Sequence, residues 1–193
     1  MLALLHGILL NGVRLCDQLR LDVLLRREPV AVGGKRPEHV LITGDGMVAL
    51  EDLAMLVVWC RKEGIARLTL HFDYSAEQCD YLHQFDHVEV VTEEETRRAD
   101  GSPGLTVRLA RGDQLEAFAD ALRSRTFPLL VVPADPIDLI IVTGGELSLA
   151  GLPATSIGFA EVAHYPEKGR FVTDRMLQRS LCQYAACRQN YGK

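Results

Sequence analysis

The feature that most constrains this chain is a short run with almost no polar break, Asp138–Thr143 (DLIIVT), closed by Gly144-Gly145-Glu146. Apolar residues at consecutive positions, rather than at every second one, suit a strand covered on both faces. Such strands belong to parallel sheets sandwiched between helices. The carboxyl end of a parallel strand is also the edge where open α/β sheets bind their ligands. Two glycines there permit a sharp turn and a close approach to another molecule. A second apolar stretch, Ile157–Tyr165, carries Glu161 in its middle. A carboxylate in that setting needs a buried partner or an interface to face. The glycine turn and the acid are expected to form one working edge.

The rest of the chain reads as strands alternating with helices. His39–Thr43 (HVLIT) is a short buried strand, and Gly44-Asp45-Gly46 is the turn that ends it. Glu51–Gly64 is a helix with Leu53, Leu56, Val57 and Cys60 on one side and Gly64 as its cap. Arg67–Phe72 is the next strand. A strand–helix–strand unit this short is a crossover, hence a parallel sheet. A helix follows from Ser75, its N-cap, to about Gln84, then a weak strand at His87–Val91. Thr92–Gly104 is the most polar stretch and is expected to be a loop. Leu105–Ala110 alternates like a strand, Asp113–Arg125 reads as a helix, and Phe127–Val132 suits either a strand or a packed connector. A last helix runs from Thr173 or Asp174 to about Gln189. Together these predict one α/β domain over residues 35–193, with a central, mostly parallel sheet of about six strands and helices on both faces.

Residues 1–34 read as an N-terminal helix, Leu-rich and closing on Arg26 and Arg27, followed by a Pro- and Gly-rich linker. Leu2–Val13 is too short to span a membrane and is broken by His6, Gly7 and Asn11. It lacks the basic start and cleavage site of a signal peptide. It is left to pack on the domain or to lie in a membrane surface. The net charge of −5 and the lack of a basic motif argue against nucleic acid. The five cysteines (Cys16, Cys60, Cys79, Cys182 and Cys187) form no CxxC pair and no Cys/His spacing suited to zinc, so reduced thiols and no metal site are expected.

The order of these segments resembles the cis-prenyltransferase (undecaprenyl diphosphate synthase) family from Pro37 onward. His39-Val40-Leu41-Ile42 leading to Asp45-Gly46 resembles the family's first strand and its catalytic aspartate. Trp59-Cys60, Gly64-Ile65 and Leu68-Thr69-Leu70 resemble the following helix and second strand. Asp135-Pro136, Asp138-Leu139-Ile140 and Thr143-Gly144-Gly145-Glu146 resemble its second signature, and Ala160-Glu161 the acid of its last strand. Leu53–Cys60 (LAMLVVWC), Ala160–Val162 and Gln183–Cys187 (QYAAC) before Gly192-Lys193 are closer still to the non-catalytic branch, the Nogo-B receptor type of subunit.

The departures from the active family carry the functional expectation. Two diphosphates must be held there by backbone N–H groups and several guanidinium groups. Where the family has glycine, arginine and an aromatic after its Asp-Gly, this chain has Met47, Val48, Ala49 and Leu50, and Glu51 follows at once. The arginine before Thr-Gly-Gly is Val142, and the arginine and serine after the glutamate are Ser148 and Ala150. Each lost bidentate contact is worth roughly 1.5–3 kcal/mol. The resemblance therefore implies an accessory subunit that pairs with a catalytic cis-prenyltransferase making long-chain polyprenyl diphosphate for dolichol synthesis and protein glycosylation. Mg²⁺ would sit on that partner, and the complex at the cytosolic face of the endoplasmic reticulum membrane, or in the cytoplasm of a prokaryote. The rival readings are a divergent self-sufficient prenyltransferase and a scaffold or receptor that kept only the fold. Asp45 is either a residual catalytic group or a turn-capping carboxylate. Thr143, Gly144, Gly145, Glu146 and Glu161 are expected at an interface or a vestigial site. In family dimers a terminal Arg-x-Gly stretch reaches the partner's active site. Here that stretch is Asn190-Tyr191-Gly192-Lys193, with Asn190 in place of the arginine.

Overall fold

The computed structural model describes residues 36–44, 48–93, 96–97, 104–112, 136–145, 160–166 and 171–187, with Leu147, Leu149 and Leu152. The helix and linker expected at 1–34, the helix expected at 113–125 and the segment 127–132 lie outside the described residues, as do Asp45, Glu146 and Asn190–Lys193.

Among the described residues the strands are β1 (His39–Gly44), β2 (Arg67–His71), β3 (Val88–Val91), β4 (Thr96–Arg97), β5 (Leu105–Ala110), β6 (Leu139–Thr143) and β7 (Glu161–Tyr165). They form one sheet in the order β4-β3-β5-β2-β1-β6-β7. Six run parallel, and β4 pairs antiparallel to β3 through Val90–Arg97 and Val91–Thr96. The loop expected at Thr92–Gly104 thus contains a short edge pairing that its polar composition hides. Helices α1 (Leu50–Glu63), α2 (Ala76–Leu82) and α3 (Asp174–Ala186) accompany it.

The helices start and stop for local reasons. At α1 the Asp52 carboxylate accepts from the Ala49 N–H at 3.2 Å, and Gly64 closes the helix at φ 72°. At α2 a reciprocal pair forms: the Gln78 N–H donates to Ser75 Oγ (3.3 Å) and the Ser75 N–H donates to Gln78 Oε1 (2.7 Å). The expected two further residues, His83 and Gln84, form a turn instead. At α3 Thr173 Oγ1 accepts from the Met176 N–H.

The sheet separates two apolar layers by strand alternation. On one face Val40 and Ile42, Leu68 and Leu70, Val107 and Leu109, Leu139 and Ile141 pack with Leu53, Leu56, Cys60, Met176, Leu177 and Leu181. On the other, Leu41, Ile140 and Val142 pack with Ile137 and Leu152. All five residues of β6 are buried, and its neighbours in sequence go to opposite layers. This bears out the two-sided burial expected of the apolar run at 138–143. Asp138 itself stays outside the strand and caps β1: its Oδ2 accepts from the backbone N–H of Glu38 (2.8 Å) and of His39 (3.0 Å).

Candidate functional site

After β1 the chain lays β2, β3, β4 and β5 on one side, then β6 and β7 on the other. The crevice between the carboxyl ends of β1 and β6 is therefore the switch point where an open α/β sheet offers a ligand site. Two sequence signals meet there. Gly44 pairs with Thr143 in register, and a Cβ at Gly44 would overlap both the hydroxyl and the carbonyl of Thr143. Only glycine fits. Thr143 is 1% exposed and donates its hydroxyl to the Thr43 carbonyl at 3.4 Å. Beyond it Gly144 (φ 77°) and Gly145 (φ 42°) are both left-handed, and the Gly144 N–H donates to the Tyr165 carbonyl at 2.9 Å. The glycine turn is thus anchored to β7 on one flank and β1 on the other.

A polar chain continues along the same edge. His71 Nε2 lies 2.8 Å from the Gly112 carbonyl, and His71 Nδ1 lies 3.2 Å from the Thr43 hydroxyl. Because a carbonyl only accepts, Nε2 carries the proton there, and in the neutral ring Nδ1 accepts from Thr43. Hydrogen bonds therefore tie the ends of β6, β1, β2 and β5. At the end of β5, Arg111 lies 5.3 Å from the centre of the Tyr74 ring and 3.6 Å from the Glu93 carboxylate. Burial foremost, with Glu93 beside it, raises the Tyr74 pKa. None of this was legible in the sequence, since it needs the register of four strands.

The positions where the resemblance expects phosphate-binding groups are occupied otherwise. Val48 is 7% exposed and belongs to the helix-side core, and its carbonyl accepts from the Gln78 amide at 2.6 Å. Leu50 packs on the same core. Val142 is 3% exposed in the opposite layer. The amino end of α1, the natural anion seat beside this crevice, already carries Glu51 and the capping carboxylate of Asp52. Any anion approaching there meets like charge.

Of the predicted site residues, Thr143, Gly144 and Gly145 come together with Gly44. Glu161 does not join them. It pairs with Leu139 at the amino end of β7, whereas Tyr165 pairs with Thr143 at the carboxyl end. The two lie four residue steps apart along the strand, about 13 Å. The single working edge expected from sequence is two opposite edges, because strand direction and not proximity in sequence sets which end a residue occupies. Glu161 is partly buried and accepts from the Cys187 thiol, which ends α3. Among the described residues no three His, Cys, Asp or Glu side chains gather as metal ligands would.

No protein-family model matches the sequence, and no curated protein matches it either. Solved structures do match the fold. A probable undecaprenyl diphosphate synthase from Campylobacter jejuni aligns over 82% of this chain and 100% of its own, with a TM-score of 0.59 and 16% identity. Lavandulyl diphosphate synthase from Lavandula x intermedia, solved with dimethylallyl diphosphate, aligns over 81% of this chain and 98% of its own, with a TM-score of 0.47 and 14% identity. The chain is a single α/β domain with the undecaprenyl diphosphate synthase fold.

Proposed function

We propose that this chain is the non-catalytic, Nogo-B receptor-type subunit of a heteromeric cis-prenyltransferase. The observation that carries the reading is the amino end of α1. Its seat for an anion carries the Asp52 carboxylate on the Ala49 N–H, with Glu51 beside it and the buried Val48 before it. A sheet edge shaped for diphosphate chemistry but lined with carboxylate and aliphatic carbon fits a partner better than a catalyst. The packed layer between β1, β2, β5 and α1 fits it too. Leu53, Leu56, Leu68 and Leu70 are at most 1% exposed, so this interior is already occupied by side chains.

In this role the subunit stabilises a catalytic partner, which binds Mg²⁺ and condenses isopentenyl diphosphate onto an allylic primer. Residues 190–193 complete the partner's site. The product supplies dolichol for glycosylation at the endoplasmic reticulum. A self-sufficient enzyme is the second reading, favoured by the retained Gly44–Thr143 fit next to Asp45. Incorporation of labelled isopentenyl diphosphate onto farnesyl diphosphate tests both. The accessory reading expects no turnover by the isolated chain and a gain when a catalytic cis-prenyltransferase is co-purified with it. Turnover by the chain alone overturns it.

A further inference from the structure

The end of α3 is fastened to β7 by two side chains one helical turn apart. The Gln183 amide donates to the Val162 carbonyl at 3.1 Å, and the Cys187 thiol donates to the Glu161 carboxylate. Between them the Cys187 N–H donates to the Gln183 carbonyl at 3.1 Å, after which the backbone turns extended (φ −70°, ψ 129°). Neighbouring residues of one strand thus hold residues i and i+4 of one helix. A single contact would let the last turn pivot, while two on the same face fix its direction. The carboxylate, with burial adding to it, raises the Cys187 pKa, which keeps the donor in place.

We propose that Glu161 and Gln183 are positioning residues that fix the point from which residues 188–193 continue. The contacts themselves stand apart from any function, but their purpose rests on the accessory-subunit reading. Glu161 and Cys187 sit at the edge of the sheet opposite Gly44 and Gly144. Cys187, the last described residue, therefore lies away from this chain's own glycine turn. A fixed base also leaves less orientational freedom to lose when the segment beyond it docks.

The test uses the full chain with four variants: Glu161→Ala, Glu161→Gln, Cys187→Val and Cys187→Ser. Gln keeps an acceptor for the thiol, and Ser keeps a donor for the carboxylate. Removal of Cys187 and the residues before it by carboxypeptidase, after residues 188–193 have gone, should quicken about tenfold in the Ala and Val variants, the factor a hydrogen bond to a charged group carries. It should stay at the native rate in the Gln and Ser variants. Equal release from all five proteins, or equally fast release from Gln and Ala, overturns the clamp. If the β7 variants fail to fold, the Cys187 pair decides alone. With a catalytic partner, Glu161→Ala should lower kcat at unchanged partner affinity, and Glu161→Gln should restore it. If the release rates behave as expected but deleting residues 188–193 leaves partner turnover unchanged, the clamp stands and the role given to it in the partner's site falls; turnover by the isolated chain would instead overturn the accessory-subunit reading.

Discussion

His39 gives the sharpest stability prediction. It begins β1, is 2% exposed, and places Nε2 2.8 Å from Thr69 Oγ1. Burial foremost, then the Arg67 and Arg108 guanidinium groups, lowers its pKa from 6.5 to about 4, against weaker opposition from the Pro136 backbone and Asp138. The folded protein thus keeps the ring neutral where the unfolded chain protonates it. Between pH 6.5 and 4 the unfolded state binds more protons, so stability falls as pH falls through that window. Above pH 6.5 the contribution is fully present, and below pH 4 this group adds no further loss. The full difference amounts to about 3.4 kcal/mol at 1.36 kcal/mol per unit. Between pH 7 and pH 4.5 it comes to about 2.4 kcal/mol. Against a typical stability of about 5–15 kcal/mol that is a large share. Urea denaturation of the native protein and of His39→Gln, which can still reach Thr69, isolates the effect from other acid-sensitive groups. The gap between the two should narrow or reverse by about 2 kcal/mol on going from pH 7 to 4.5. Parallel losses, or a His39 Cε1–H resonance that titrates near 6.5, would refute the reasoning.

Three further outcomes follow from the packing. Gly44→Ala should cost about 3 kcal/mol, because the new methyl meets both side chain and backbone of Thr143 and β1 must part from β6; an unchanged urea midpoint would show that the two strands are not in this register. Tyr165→Phe should cost only about 1 kcal/mol. Its hydroxyl lies 3.0 Å from both the Met176 carbonyl and Ser180 Oγ, and Ser180 also donates to Met176, so nothing is orphaned; thermal denaturation measures it. Cys60 is fully buried and its thiol is pushed well above the usual range by desolvation, while Cys182 is exposed. Iodoacetamide on the folded protein should therefore label Cys182 and spare Cys60 until denaturant is added, and early labelling of Cys60 by peptide mapping would contradict the buried face of α1.

The proposed role gives the unusual lining of the crevice a physical sense. A catalytic edge must keep buried polarity and uncompensated positive charge, which costs stability. An edge freed of that duty can be filled by packing, as Val48 and Val142 fill it, while the turn geometry survives because the backbone at Gly44 and Gly144 has no alternative.

Much of the architecture was legible in the amino-acid sequence alone. The run at Asp138–Thr143 announced a strand buried on both sides, the caps Ser75, Gly64 and Thr173 marked where helices begin or end, and the β1–α1–β2 spacing required a parallel sheet. These are local signals: side-chain periodicity and backbone preference act within a few residues. The antiparallel pairing of Thr96–Arg97 escaped, since a two-residue edge contact has no period to read. What only the tertiary structure decided is which residues share an edge. Register placed Thr143 against Gly44 and sent Glu161 to the far end, where it meets Cys187. It also set His39 among two arginines whose effect no linear spacing reveals. Distances across a sheet are fixed by hydrogen-bonded pairing between strands far apart in the chain, and that pairing is settled only when both layers of the core close around it.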